Sequence, residues 1–229
     1  MSKVDLRLDW CSYEAAKFAV EHWHYSKRMP TGKNNYIGVW ENKFYIGSII
    51  FGTGASSNLG TPYGLKWNQC CELVRVALDK HISPVSRILS IAAKMLKAKN
   101  KELRLCVSFA DPFHEHIGAI YQAGNWIFSG ESAPSEMYKL SDGSLAHPRR
   151  FTGTGWNAPQ PVPADATIIK TPGKYRYLFP LDDAMRKQIE PLRKPYPKRD
   201  SGEIDNAPQT NAETGGASPT ESLSLEGIK

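Results

Sequence analysis

Apolar positions along the chain fall into two rhythms, and the switches between them mark out the elements. In YEAAKFAVEHWH, residues 13–24, Ala16, Phe18, Ala19 and Trp23 return at helical spacing among good helix formers, which predicts a helix with one apolar face. NYIGVW and KFYIGSIIF are rich in β-branched and aromatic residues; with Glu41–Asn42 between them and Asn-Lys turn chemistry they predict a hairpin. CELVRVAL predicts a third strand. It leads into SPVSRILSIAAKMLKAK, where Ser83 can cap, Pro84 suits the first turn, and Ile88, Ile91, Ala92, Met95 and Leu96 form a stripe to bury. ELRLCVSFA repeats the plan, with Leu103, Leu105, Val107 and Phe109 alternating ahead of DPFHEH and the helical GAIYQAGNW. Beyond Trp126, IFSGE, EMYKL, TIIK and KYRYLFP predict strands and DDAMRKQIE a short helix. Strand, helix, strand, helix argues an α/β (α+β mixed) sheet with helices on its faces.

Two stretches depart from these rhythms. GTGASSNLGTPYGLKWNQ, residues 52–69, is too rich in Gly, Ser and Pro to be regular, and a loop of that length is more often functional than idle; with Tyr63 and Trp67 it is a candidate insertion or pocket wall. Residues 201–229 contain no aromatic ring and few branched aliphatics, which predicts a disordered acidic tail behind a folded domain at 1–200.

Composition changes the picture through charge. The net charge of +6 hides an asymmetry: the tail carries five acids and one lysine, so residues 1–200 hold 28 basic and 18 acidic side chains, a net of +10. Such a surplus favours a polyanionic partner, nucleic acid first and an anionic membrane surface second. No run approaches ~18 uninterrupted apolar residues and MSKVDLRLDW lacks a signal-peptide core, so a cytoplasmic protein without a membrane span is expected. Cys11, Cys70, Cys71 and Cys106 form no C-x-x-C motif, and reduced thiols are expected.

The candidate chemistry centres on EHWHYSKRMPTGKN, residues 21–34. His22, His24 and Tyr25 lie where a helix meets a loop, and two readings stand side by side: they cap the helix carbonyls, or they form a metal or catalytic cluster. Imidazole and phenolate suit iron or zinc, and Asp111, at the carboxyl end of a predicted central strand, would complete the set His24, Tyr25, Asp111. His114 and His116 flank Glu115 nearby, as metal ligands or as plain loop residues. Ser108 is a hydroxyl in the same cleft or an ordinary strand serine. Basic residues gather in groups: Lys27, Arg28 and Lys33; Arg149 and Arg150; Lys170, Lys174 and Arg176; then Arg193, Lys194, Lys198 and Arg199. Phe151, Trp156, Tyr175, Tyr177 and Tyr196 lie among them, a mixture suited to phosphate contact and base stacking.

GAIYQAGNWIFSG resembles the helix-turn-strand of the GNAT acyltransferase superfamily. Together with HWHYSKRMP, ELVRVAL and the ADP that follows the second central strand, it makes residues 10–195 similar to the Mom-type DNA modification proteins of Mu-like bacteriophages. That resemblance implies a GNAT-like fold and conversion of adenine in double-stranded DNA to its N6-carbamoylmethyl derivative, which resists host restriction. The base is reached by flipping it out of the stack. It also implies that His24, Tyr25 and Asp111 serve iron binding or catalysis, that Tyr121 is a general acid near the leaving group, and that acetyl coenzyme A or another two-carbon donor is used. The chain departs from GNAT enzymes at the turn that holds the coenzyme pyrophosphate. Here it reads HISPVSRIL, without glycine and with a proline that removes one donor, leaving Ser86 and Arg87 as the expected coenzyme contacts. Outside the resemblance, an N-acetyltransferase of a protein or small amine and a non-catalytic DNA-binding module remain open.

Overall fold

Tyr13–Trp23 forms helix α1, begun by Ser12, whose side chain accepts the Ala15 N–H, and its buried Ala16, Ala19 and Val20 pack on Ile50 and Ala77. In the computed structural model, which describes residues 4–54, 56, 58–151 and 161–198, this helix covers one face of a seven-stranded mixed sheet. The strands are β1 (Leu6–Trp10), β2 (Asn34–Glu41), β3 (Phe44–Gly52), β4 (Cys70–Leu78), β5 (Leu105–Ala110), β6 (Ile127–Glu131) and β10 (Tyr175–Pro180), in the order β1-β2-β3-β4-β5-β10-β6. The β2–β3 hairpin turns at Asn42 and Lys43, both with positive φ, as its turn chemistry anticipated. The described residues up to Pro197 form one compact unit, and the tail expected from residue 201 lies outside the described residues.

Helix α2 (Val85–Lys99) and the short α3 (Ala119–Ala123) cover the opposite face, where Ile88, Ala92, Leu96 and Tyr121 meet Ile37, Ile49, Phe51 and Leu73. Pro84, not Ser83, stands at the N-cap of α2. Helix α4 (Asp183–Ile189) packs Met185 and Ile189 against Leu105, Val107 and Leu178, on the sheet face opposite α2. Asp182 caps α4 through the Met185 N–H and takes a two-pronged ion pair from Arg104 at 2.9 and 3.0 Å, tying the start of β5 to that helix. A separate antiparallel sheet, β8-β7-β9, is built from β7 (Ser135–Lys139), β8 (Leu145–Ala146) and β9 (Thr167–Thr171).

Two irregularities shape the site. β4 and β5 run parallel and pair only over Cys70–Glu72 and Leu105–Val107, after which they part. Two residues after Glu72, Val74 is an extra residue in β4: Phe51 pairs with Leu73, but Ile50 pairs with Arg75. Antiparallel strands leading into a parallel pair that opens at its carboxyl ends, with helices on both faces, give the mixed α/β sheet expected of the chain.

Candidate functional site

The parted ends of β4 and β5 leave backbone polar groups without a ladder, and Ser108 closes that gap. Its Oγ lies 2.9 Å from the Leu73 carbonyl oxygen and 2.8 Å from the Tyr121 hydroxyl. A hydroxyl has one proton and a carbonyl can only accept, so Ser108 donates to Leu73 and Tyr121 donates to Ser108. Both side chains are buried. Burial pushes the Tyr121 phenol well above its ordinary value, against the lowering effect of Ser108. The expected general acid therefore holds its proton inside a structural bond, and Ser108 faces the interior.

α3 begins at Gly118, whose φ of +76° and closeness to the Tyr177 ring, 2.4 Å from where a Cβ would stand, exclude any larger residue. Gln122 Nε2 donates to the Tyr177 hydroxyl at 3.1 Å and to the Ile117 carbonyl at 3.0 Å, fixing the helix that carries Tyr121.

At the end of α1 the polar stretch divides. His22 Nδ1 lies 2.8 Å from the Phe18 carbonyl and its ring stacks on Phe18, so it belongs to the helix surface. Lys27, with φ of +50°, donates its N–H to the His24 carbonyl and its ammonium to the His22 carbonyl. It ends the helix and is not simply a free cation for phosphate. His24 is buried, and its Nδ1 accepts the Ser26 N–H at 3.1 Å and sits 2.8 Å from Ser26 Oγ. Burial, then the electrostatic influence of Arg75, His116 and Lys27, lowers its pKa from 6.5 to about 4. The ring is neutral at pH 7, and with Nδ1 accepting, the proton resides on Nε2. His24 thus offers the site an N–H donor.

Tyr25 is 55% exposed and stacks on His24 with ring centroids 4.4 Å apart; His114 and His116 approach it at 5.2 and 5.0 Å. Three imidazoles from two distant segments surround one phenol ring. Arg75 was not singled out from the sequence. The extra residue at Val74 turns it from the core side of β4 to the α1 side, where its guanidinium donates to the Arg28 carbonyl at 3.2 Å and the Val74 carbonyl at 2.7 Å. Burial draws its pKa down against Tyr25 and Glu72.

Asp111 directly follows β5 and caps a short turn, Pro112–His114, by accepting the Phe113 N–H at 3.1 Å. Its other oxygen pairs with Lys174 at 3.1 Å, so a residue expected to touch DNA also holds the candidate base. The His24–Tyr25–Asp111 set does not fit iron in this arrangement: the outer nitrogen of His24 carries a proton while its inner nitrogen accepts the Ser26 N–H, so neither offers the metal a lone pair. Among the described residues no group of three or more His, Cys, Asp or Glu side chains is arranged to hold a metal ion.

The remaining expectations scatter. Arg28, Lys33 and Arg150 are exposed, Arg150 beside the Phe151 ring, whereas Arg176 lies beside Tyr63 on the α4 face. The side chain of Arg149, together with Trp156 and Arg199, lies outside the described residues. Tyr63 is buried in the α4 cluster; Trp67 is 71% exposed at the amino end of β4 and lines a cavity of about 240 Å³ with Thr53, Leu59, Gly60 and Cys70. That end lies roughly 16 Å along β4 from Arg75, taking about 3.3 Å per residue. Ser86 and Arg87 sit in the first turn of α2. The N–H groups of Ile82 and Ser83 just before it donate to the Glu41 carboxylate at 2.8 and 2.7 Å. No helix among the described residues is long and apolar enough to cross a membrane.

Residues 5–198 match the Mom protein family. The methylcarbamoylase Mom of Escherichia phage Mu is 27% identical over 205 residues, 85% of this chain and 84% of that protein. FeeM, an N-acyl amino acid synthase from uncultured soil microbes, is 11% identical with a TM-score of 0.45, over 81% of this chain and 94% of its own. A Bacillus subtilis acetyltransferase solved with CoA is 11% identical with a TM-score of 0.43, over 78% and 99%. With a match running through all seven strands of the main sheet and the four helices, the chain belongs to the Mom protein family.

Proposed function

We propose that the chain is a DNA-modifying transferase that places a carbamoylmethyl group on N6 of adenine, acting in the cytoplasm of a phage-infected bacterium and shielding the DNA from host restriction. Family membership and the name of the Mu relative, a methylcarbamoylase, support the transfer. The net charge of +10 on residues 1–200 supports DNA as acceptor. The observation that carries the reading is the polar cluster at the parted ends of β4 and β5. There an exposed phenol ring, a neutral N–H donor, a half-buried guanidinium and a carboxylate–ammonium pair come from segments far apart in sequence.

In this reading the target adenine leaves the duplex stack, and Tyr25 between His114 and His116 offers it a stacking face. Asp111 takes the proton that N6 loses. The His24 Nε2–H and the Arg75 guanidinium hold the amide oxygen of the incoming two-carbon unit. The N6–carbon bond forms as the bond from the methylene to its leaving group breaks, with the electron pair departing on the leaving group. No step is assigned to iron or to coenzyme A. Residues 1–200 carry the activity, and 201–229 are an appended acidic tail.

The test is expression in a bacterial host followed by hydrolysis of its DNA to nucleosides and mass spectrometry. An adenine species heavier by one carbamoylmethyl group supports the reading; unmodified DNA accompanied by acetylated polyamines or proteins refutes it in favour of an N-acetyltransferase.

A further inference from the structure

We infer that the anion-binding turn ahead of α2 is filled by the chain's own Glu41 side chain, so that the two-carbon donor is not a coenzyme A thioester or any other carrier held there by a nucleotide pyrophosphate. The statement about the donor rests on the transfer proposed above; the statement about the turn does not.

A pyrophosphate binds at a strand-to-helix turn because successive backbone N–H groups face it and the helix dipole favours negative charge. In this chain the turn runs from Asp79 to Pro84, between β4 and α2. The Ile82 N–H reaches Glu41 Oε2 at 2.8 Å and the Ser83 N–H reaches Oε1 at 2.7 Å. One carboxylate therefore straddles two adjacent amides, in the way a phosphate would. Pro84 has no N–H to add. Residues 79–87 contain no glycine, so side chains line the route along which a diphosphate would approach the backbone.

Glu41 is 5% exposed and cannot swing aside cheaply, because its backbone pairs with Leu6 on one side and Phe44 on the other. Burial alone would raise its pKa, but the two N–H bonds, the Ser83 hydroxyl and His81 outweigh it and hold the carboxyl below its usual range. The turn thus contains a fixed negative charge. The amides left in the first turn, those of Val85 and Ser86, stand beside that charge, where a second polyanion is repelled.

Equilibrium dialysis of the full chain against coenzyme A and acetyl coenzyme A tests this. The expected result is no saturation below millimolar concentration, with Arg87→Ala retaining as little coenzyme as the parent. Glu41→Gln, which removes the charge, raises retention tenfold or more provided its circular dichroism stays native. Micromolar retention by the parent that falls at least tenfold in Arg87→Ala overturns the inference, and this arm decides even if Glu41→Gln does not fold. Absence of modified adenine from host DNA would refute the proposed function and leave the dialysis result standing.

Discussion

Lowering the pH from 7 to 4.5 forces a proton toward His24, and the fold resists it. The imidazole pKa falls from 6.5 to about 4, first because the ring is buried and then through its electrostatic interaction with Arg75, His116 and Lys27. In this window the unfolded chain binds a proton at His24 that the folded chain refuses. The contribution is therefore fully present above pH 6.5 and is lost as the pH falls through about 4. At about 1.4 kcal/mol per pH unit the interval bounds the loss near 3 kcal/mol. Solvent reaching part of the ring reduces this to about 2 kcal/mol. Urea unfolding of the parent and of His24→Gln at pH 7, 6, 5 and 4.5 reads the effect as the difference between the two proteins, which cancels the other titrating groups. The parent should lose stability relative to the variant steadily across the series. A constant difference would mean that His24 titrates normally and that its role as a neutral N–H donor is wrong.

Ser108→Ala leaves the Leu73 carbonyl and the Tyr121 hydroxyl without their partner and should cost about 1–3 kcal/mol by urea unfolding. Adding Tyr121→Phe should cost less than the sum of the singles, and strict additivity would break the relay drawn between them. Arg75→Lys keeps the charge but loses the planar fork that spans two carbonyls; DNA modification should fall at least tenfold with native circular dichroism, and full activity would remove Arg75 from the site. Gly118→Ala meets the Tyr177 ring at positive φ and should destabilise by about 2 kcal/mol or more, so a neutral result would argue against the placement of α3. Deleting residues 201–229 raises the net charge from +6 to +10 and should tighten nonspecific DNA binding in low salt, with the gain fading as salt rises. Weaker binding on truncation would show that the tail contributes contacts.

Local chemistry accounts for what was legible in advance. The apolar spacing of α1, the Asn42–Lys43 turn and the stripe on α2 are decided by residues within a few positions of one another, and the observed elements follow them closely. α3 was expected to run further, but the glycines at 118 and 124 confine it to five residues. His24, Tyr25 and Asp111 could be named because polar residues crowd the ends of regular elements. Their roles could not be, since each depends on a distant partner: Lys174 for Asp111, and His114 and His116 for Tyr25. Arg75 escaped notice for a different reason. Strict alternation through ELVRVAL assigns it to the face of Leu73, and only the extra residue at Val74 brings it to the end of α1. Glu41 looked like an ordinary hairpin residue because its partners, Ile82 and Ser83, lie more than forty positions away.

The most direct test compares nucleosides from hosts expressing the parent and Asp111→Asn, an isosteric change that removes the proton acceptor and keeps an oxygen for the Phe113 N–H. The account predicts carbamoylmethylated adenine in DNA from the parent and at least a hundredfold less from the variant, at equal levels of folded protein. Equal modification by the two proteins, or an unmodified adenine pool in the parent, would contradict it.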